Sequence, residues 1–570
     1  MRGWLAICVC VIGATPCPAQ TPAREPLDSS GVTADALTEV QIANLTILGK
    51  VWGFLKYHHP AVTAGNRDWD RDLFQIMPRV LAAPDRASAD AAMFRWVRDL
   101  GDIAECQSCV PPLPRDLSLS PDLGWLGDKN FLGSELGDLL RRIYLNRERF
   151  QQWYVSLDPN IRNPLFPHEA AYPAMNADFG LQILAVFRFW NDIEYWYPYR
   201  DVIGVNWDDV LKEYIPKVGL ARSIPEYQRG VLMLAARIND SHVYVSASSG
   251  SVFVRMPEGS CMIPISLRFV ENQAVITAVL ADGLPLERGD VVTEIDGAPV
   301  SALIEQLRPY YGASNEAAAL RDIAGGLPRG ACREIKIRVR HNGEEKTVDV
   351  SRVPISGGFR ERWIEAGGSH ELAGPTFRML SDTISYLKIS SLKLANAREY
   401  VSAAQGTKGL IVDLRGAPTE PIMGDVLDMV RPGLFAQVTI GDLSNPGVFR
   451  WLGPGPGQRA PPTARPDLRI VVLVDELTQS YLEYGAMGLR SAPGVSLVGS
   501  TTAGADGNVS QILLPGDLRV QFTGIGIFYP DRRPTQRVGL VPDVRVTPTI
   551  AGIRAGRDEV LEEALRQIEK

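Results

Sequence analysis

Two stretches of the chain, VWGFLKYHHPAVTAGNRDWDRDLFQIMP (51–78) and FWNDIEYWYPYRDVIGVNWDDVLKEYIP (189–216), align without a gap at a constant offset. Trp52 falls on Trp190, Tyr57 on Tyr195, Pro60 on Pro198, Trp69-Asp70 on Trp207-Asp208, Leu73 on Leu211 and Pro78 on Pro216. Such a register predicts two copies of one helical unit, each built from helices with aromatic core residues and a proline-containing loop between them. The N-terminal third is therefore expected to be helical, with a first copy over 21–165 and a second over 166–257.

The same register sets LGDIAE (100–105) opposite INDSHV (238–243), so that Asp102 falls on Asp240 and Ala104 on His242. A packing role common to both copies does not need an imidazole in one alone, and the asymmetry marks His242 as a functional candidate. The other histidines carry less. His58 and His59 lie at the positions of Trp196 and Tyr197 and read as packing or surface residues. His341 sits in the turn RHNGEE, His370 in the polar loop GGSHEL and His168 after a proline, none with a chemical partner close in sequence.

At 570 residues the chain exceeds one hydrophobic core, and three to four units are expected. Over 258–354 short strands alternate in CMIPISLRFV, AVITAV, DVVTEIDGAPV and REIKIRVRHNGEEKTVDV, which predicts a small β-rich module. A polar, glycine-rich linker (355–375) leads to a core over 376–570. There GLIVDLRG (409–416), LRIVVLVDE (468–476) and VSLVGS (495–500) read as buried strands separated by helical segments, so a mostly parallel or mixed sheet covered by helices is expected. The closing DEVLEEALRQIEK reads as an amphipathic helix with Val560, Leu561, Ala564, Leu565 and Ile568 on its apolar face.

A hydrophobic content of 45%, a charged content of 22% and a net charge of −7 describe an ordinary globular protein and argue against a nucleic-acid partner. The first twenty residues carry Arg2, an apolar run from Trp4 to Ala14 and a small-residue end near Ala19, the layout of a secretory signal peptide (1–20). The alternatives are an uncleaved anchor and, through Cys17, a lipoprotein. Removal of that segment leaves Cys106, Cys109, Cys261 and Cys332. An even count in an exported chain permits two disulfides, with Cys106–Cys109 and Cys261–Cys332 the preferred pairing. CQSC as a redox or metal pair is the alternative, but no second pair lies nearby to complete a metal site. No cofactor is called for, and no integral membrane segment is expected after the signal.

Ser480, in DELTQSYLEYGAMGL (475–489), follows a buried strand where the chain turns into a helix. S-x-x-E with Glu483 is a capping signature. A serine at a strand-to-helix turn also lies beside a helix N-terminus that stabilises developing negative charge, which suits acyl transfer. Local sequence leaves both readings open.

The order of a helical segment ending in histidine, the β-rich module, LIVDLRG, a buried strand with S-x-x-E, VGSTTAG and GLVPD resembles the carboxyl-terminal-processing (tail-specific) serine peptidases and their tricorn-like relatives, over roughly 180–570. GLPLERGDVVTEIDGAPV (283–300) resembles a PDZ domain, although a glycine-rich carboxylate-binding loop is not evident near its start. The resemblance implies a ClpP/crotonase-like α/β core and polypeptide substrates. Ser480 matches the family's nucleophile. Ala505, in VGSTTAGADG, stands where the tail-specific branch places a lysine, so a Ser-Lys dyad is not expected. DSHV matches the tricorn-like branch, implying His242 as general base and Ser241 as the hydroxyl that orients it.

Gln536 occupies the position of that branch's glutamate, and Asp240, Glu483 or Asp506 are the residues that would compensate. The oxyanion donors implied are the N–H groups of Gly416 and Tyr481. APTE replaces the family's usual continuation after DLRG. The expected function is that of a periplasmic or secreted serine endopeptidase of unknown oligomeric state. The alternative is a catalytically impaired peptide-binding or scaffolding protein on the same fold. An acyl-transferring or hydratase enzyme would need coenzyme A contacts, for which no residues stand out.

Overall fold

In the computed structural model, which describes residues 27, 29–106, 113, 115–147, 152–173, 175–247, 259–428, 430, 433–453 and 468–570, each aligned stretch supplies the end of a long helix and most of a shorter one. The pairs are Glu39–His58 with Trp69–Leu81, and Phe179–Trp196 with Trp207–Gly219. Thr38, Asp68, Asp178 and Asn206 each precede one of these helices, and each side chain accepts from an N–H of its first turn. The matched tryptophans meet in the same way in both pairs. Trp52 and Trp69 stack at 6.4 Å and 11°, Trp190 and Trp207 at 6.3 Å and 11°. Within each pair the two indole N–H groups donate reciprocally to the partner's carbonyl, at 3.2 and 3.1 Å in the first and 2.7 and 3.1 Å in the second. Buried indoles thus satisfy their one polar atom without leaving the core.

His58 and His59 are both buried rather than at the surface, with the His58 ring stacked on Phe54 and packed against Tyr144 and Tyr195. Burial, and then the Arg147 charge, pulls His58 down to about 3; burial, and then Arg67, pulls His59 down to about 4. Neutral imidazoles are what this core accepts. Their folded values lie below the unfolded value near 6.5, so the stability they allow is complete above pH 6.5. It is lost as the pH falls toward 4 and then 3, at about 1.4 kcal/mol per pH unit for each group. Urea midpoints measured from pH 7 to 4 are expected to fall along that slope, and His58→Gln is expected to flatten it.

The helical unit is fastened to the core by polar anchors. Arg188 donates to Asp70 at 2.9 Å and to the Leu513 carbonyl at 2.6 Å, and the Tyr227 hydroxyl donates to the Pro515 carbonyl at 2.7 Å. The strand Tyr244–Ala247, which follows the helix Ile224–Ala236, pairs with Leu518–Thr523, itself paired with Val509–Leu514. A segment of the helical unit therefore completes a three-stranded sheet of the core.

The module between them has a sheet in which Ile265–Val270 is an edge strand, bonded to Gln273–Val279, then Val291–Ile295, Glu334–His341 and Glu344–Ser351. Two helices absent from the sequence reading, Val300–Leu307 and Glu316–Gly326, belong to it. Cys261 and Cys332 form a disulfide. The pairing expected for Cys106 with Cys109 lies outside the described residues, as does the segment 1–20. The stretch read as a linker holds a helix, Gly357–Gly368, with no buried residue.

The core sheet runs in the order Phe377–Met379, Ile384–Lys388, Gly409–Asp413, Arg469–Val474, Val495–Gly499, Val544–Arg545. It is parallel except for the first strand. Its central strands are apolar on both faces because both are covered. Leu410, Val412, Val472 and Val474 pack against the helix Tyr481–Arg490, while Ile411, Val471 and Leu473 pack against Val560, Leu561 and Ala564 of the terminal helix. No helix among the described residues is long and apolar enough to cross a membrane.

Candidate active site

Gly409–Asp413 and Arg469–Val474 are adjacent parallel strands, and the loops after them carry Gly416 and Ser480. Residues distant in sequence thus meet beyond the carboxyl ends of the sheet, where open α/β folds place their sites. The turn into Ser480 is laced by its own side chains. Asp475 Oδ1 accepts the Leu477 N–H at 2.9 Å, and Thr478 Oγ1 accepts the Asp475 N–H at 3.1 Å while donating to the Leu414 carbonyl at 2.9 Å.

Ser480 itself has φ 60° and ψ −122°, a conformation costly for a residue with a Cβ. An ordinary N-cap is extended, whereas Ser480 closes a capping box with Glu483 from this strained conformation. Its N–H donates to the Ala505 carbonyl at 2.8 Å and to Glu483 Oε2 at 3.2 Å. Among the described residues, no group accepts the N–H of Gly416 or of Tyr481.

Glu483 is fully buried and holds the facing loop. Its carboxylate accepts the N–H of Gly504 at 2.8 Å and of Ala505 at 2.9 Å, and the Thr502 hydroxyl. Burial still raises its pKa, because the four donors offset only part of the lost hydration. Asp506, whose Oδ1 accepts from Thr535 at 2.8 Å, is raised well above the carboxylate range by burial and then by Glu483. Neither residue is hydrogen-bonded to His242.

His242 is buried, and burial lowers its pKa below the ordinary imidazole value, with Asp240 opposing and Arg321 adding to the shift. Its Nδ1 lies 2.8 Å from Thr523 Oγ1 and 3.9 Å from Asp240 Oδ1, and its Nε2 has no hydrogen-bond partner. Gln479 ties the two halves of the site together, its amide donating to the Ser241 carbonyl at 3.0 Å and accepting from Arg321 at 2.9 Å. A cavity of about 1050 Å³ is lined by His242, and one of about 550 Å³ by Ser480 and Tyr481; Leu477, Gln479 and Arg321 line both. His242 and Ser480 thus line two separate cavities that share three lining residues, with no hydrogen bond between the two side chains.

Two expected orienting groups are engaged elsewhere. Ser241 Oγ donates to the Ala503 carbonyl at 2.9 Å and accepts the Ser314 N–H at 2.9 Å, so it pins the strand junction and makes no hydrogen bond to the imidazole. Gln536 donates to Asp240 Oδ1 at 3.1 Å and to Ser314 Oγ at 3.2 Å. An amide fits there because Asp240 already brings a buried carboxylate, and a glutamate would set two like charges against each other.

Sequence reasoning missed Thr523 and Gln479, and it undervalued His370. His370 Nδ1 lies 2.6 Å from Asp475 Oδ2, and its N–H donates to the Arg415 carbonyl beside Gly416 at 2.9 Å. His370, Asp475 and Glu476 bring potential ligand atoms within 4.8 Å of one another. Arg268 bonds to both carboxylates, at 2.7 Å from Glu476 and 3.2 Å from Asp475, so a guanidinium already engages them. His341, likewise read as partnerless, has Nδ1 2.6 Å from Asp290 Oδ1.

Among solved structures the chain is similar to mature CPAF in complex with lactacystin, at 14% identity and a TM-score of 0.52 over 68% of this chain and 98% of that one. It is similar also to mature CPAF alone, at 14% identity and 0.51 over 68% and 96%. These likenesses concern the fold. No curated protein sequence matches the chain. The profile described as peptidase family S41 matches residues 383–546, a span that contains Gly416, Ser480, Glu483 and Gln536. Over that span, residues 383–546, the chain carries a domain that matches peptidase family S41.

Proposed function

We propose that the protein is an exported serine endopeptidase acting through Ser480 and His242. Ser480 Oγ attacks the scissile carbonyl carbon while His242 Nε2 takes its proton, and the N–H groups of Gly416 and Tyr481 receive the oxyanion. The imidazolium then returns that proton to the departing amine as the C–N bond breaks. Water, activated by His242, hydrolyses the acyl-Ser480 ester. The observation that carries this reading is the strained backbone of Ser480, at a turn that follows a strand adjacent to the one leading to Gly416, with the N–H groups of Gly416 and Tyr481 both without acceptors among the described residues. Such strain persists where surrounding structure over-determines it, and here the Ala505 carbonyl and Glu483 do so. Ala505 offers no amine, which favours an imidazole base over lysine.

The module 258–354 is proposed to be PDZ-like and to present polypeptide to this site. Its edge strand Ile265–Val270 borders the larger cavity along residues 266–270, together with the helix Glu316–Gly326. An extended segment added to that edge would run into the cleft that holds His242. Export rests on the layout of residues 1–20 and accords with the Cys261–Cys332 disulfide, which suits an oxidising compartment. The identical stacking of the two tryptophan pairs supports an internal duplication of the helical unit.

A fluorophosphonate probe tests the central claim. Covalent labelling of the wild type and none of Ser480→Ala is the expected result. A folded wild type that binds unfolded polypeptide yet takes no label would sink the enzyme reading in favour of a peptide-binding scaffold.

A further inference from the structure

The residue that orients His242 is supplied by neither Ser241 nor Gln536, and the strand pairing of the core supplies another. Tyr244–Ala247 pairs with Leu518–Thr523, placing Thr523 at the end of the second strand beside His242, two residues before the first. The pairing is reinforced on both sides of the imidazole. Gln521 Nε2 donates to the His242 carbonyl at 3.3 Å, and Asp240 accepts the His242 N–H on Oδ1 at 3.0 Å and the Thr523 N–H on Oδ2 at 2.8 Å. Asp240, fully buried, thus grips the backbone of both residues and sets their side chains against each other at 2.8 Å.

We propose that Thr523 is the positioning residue of the Ser480–His242 pair. Its hydroxyl oxygen accepts the His242 Nδ1–H, which fixes the tautomer whose Nε2 lone pair is free to take a proton. Nε2 is indeed the ring atom left without a partner. Asp240 acts one step removed. At 3.9 Å its Oδ1 is too far from Nδ1 to be a hydrogen-bond acceptor, and Oδ1 already accepts from the His242 N–H and from Gln536. It supplies negative charge to the imidazolium without touching it, and the Arg321 charge opposes it. Gln536 belongs to the same arrangement, since its amide donates to Asp240 where a second carboxylate could not.

The inference rests on the assignment of Ser480 and His242 above. Thr523→Val preserves shape and removes the acceptor. It is expected to lower kcat by about 10-fold or more with KM nearly unchanged, whereas Thr523→Ser restores most of the rate. Ring ¹⁵N spectra of the whole protein, with the His242 signal assigned by its loss in His242→Gln, are expected to show a protonated Nδ1 and an unprotonated Nε2 in the wild type and a mixture in Thr523→Val. Gln536→Glu is expected to reduce activity. Wild-type kcat in Thr523→Val, an Nε2–H tautomer in the wild type, or a gain of activity in Gln536→Glu would each overturn the role of Thr523. Full hydrolysis by Ser480→Ala would instead remove the reading on which it stands.

Discussion

Alanine at Ser480 or at His242 is expected to lower hydrolysis of an unfolded polypeptide by about 10⁴-fold or more, and the double variant is expected to be no slower than either single one. The loss of 10⁴ corresponds to about 5 kcal/mol of transition-state stabilisation. Non-additivity follows from what each residue does. His242 has work only when a hydroxyl proton is there to be taken, and Ser480 is a poor nucleophile at neutral pH unless that proton leaves. What survives both changes is binding in the cleft and the pair of N–H groups at Gly416 and Tyr481, which still polarise a carbonyl toward attack by water. Initial rates for the three variants, at equal folded fraction by circular dichroism, decide the matter. Losses that multiply would mean that the two side chains act at separate sites. The absence of a hydrogen bond between them in this structure does not weigh against the pair, because such contacts tighten when substrate displaces the groups between. Gln479 and Arg321, which line both cavities and bond to each other, are the side chains that a substrate spanning the two cavities would meet.

The strands of the core were legible because each is buried on both faces and therefore written as an unbroken apolar run. Ser480 was legible as a position, through S-x-x-E after such a run, but not as a conformation. The same letters describe an extended cap and the strained turn, and only the Ala505 carbonyl and the loop held by Glu483 choose between them. His242 was found by comparison with Ala104, a signal internal to the chain. Thr523 left no comparable trace. Its partner lies far away in sequence and is brought near by strand pairing, and a threonine in LRVQFT looks like any β-branched strand residue. His370 was hidden in the same way, its partner Asp475 being remote in sequence. The helix Gly357–Gly368 was unreadable because glycines flank it and none of its residues is buried, so no apolar stripe marks a face. Gln536 looked like a defect at a glutamate's place. Its meaning depends on Asp240, whose carboxylate already occupies the space, and that contact cannot be inferred from either residue alone.

Glu483→Ala is expected to cost about 3–5 kcal/mol of stability and to abolish labelling at Ser480 even under conditions where the variant is folded. The stability loss comes from stranding donors. The N–H groups of Gly504 and Ala505 and the Thr502 hydroxyl end on this one carboxylate in a buried site, while the Ser480 N–H shares it with the Ala505 carbonyl. Each buried donor left without an acceptor costs about 1–3 kcal/mol, reduced where water enters the space vacated. The functional loss has a separate cause. Glu483 and the Ala505 carbonyl together hold the Ser480 N–H, and Ala505 is itself held by Glu483, so removing the carboxylate frees both restraints on a residue at φ 60°. Such a serine relaxes to the extended conformation of an ordinary cap, and its hydroxyl swings away from the N–H groups of Gly416 and Tyr481. Glu483→Gln should fall between, because an amide keeps one acceptor oxygen and turns two donors toward the N–H groups that the other oxygen served. Urea titration and fluorophosphonate labelling of the two variants separate these effects. A midpoint equal to the wild type's, or full labelling in Glu483→Ala, would mean that the turn holds Ser480 by its own sequence alone.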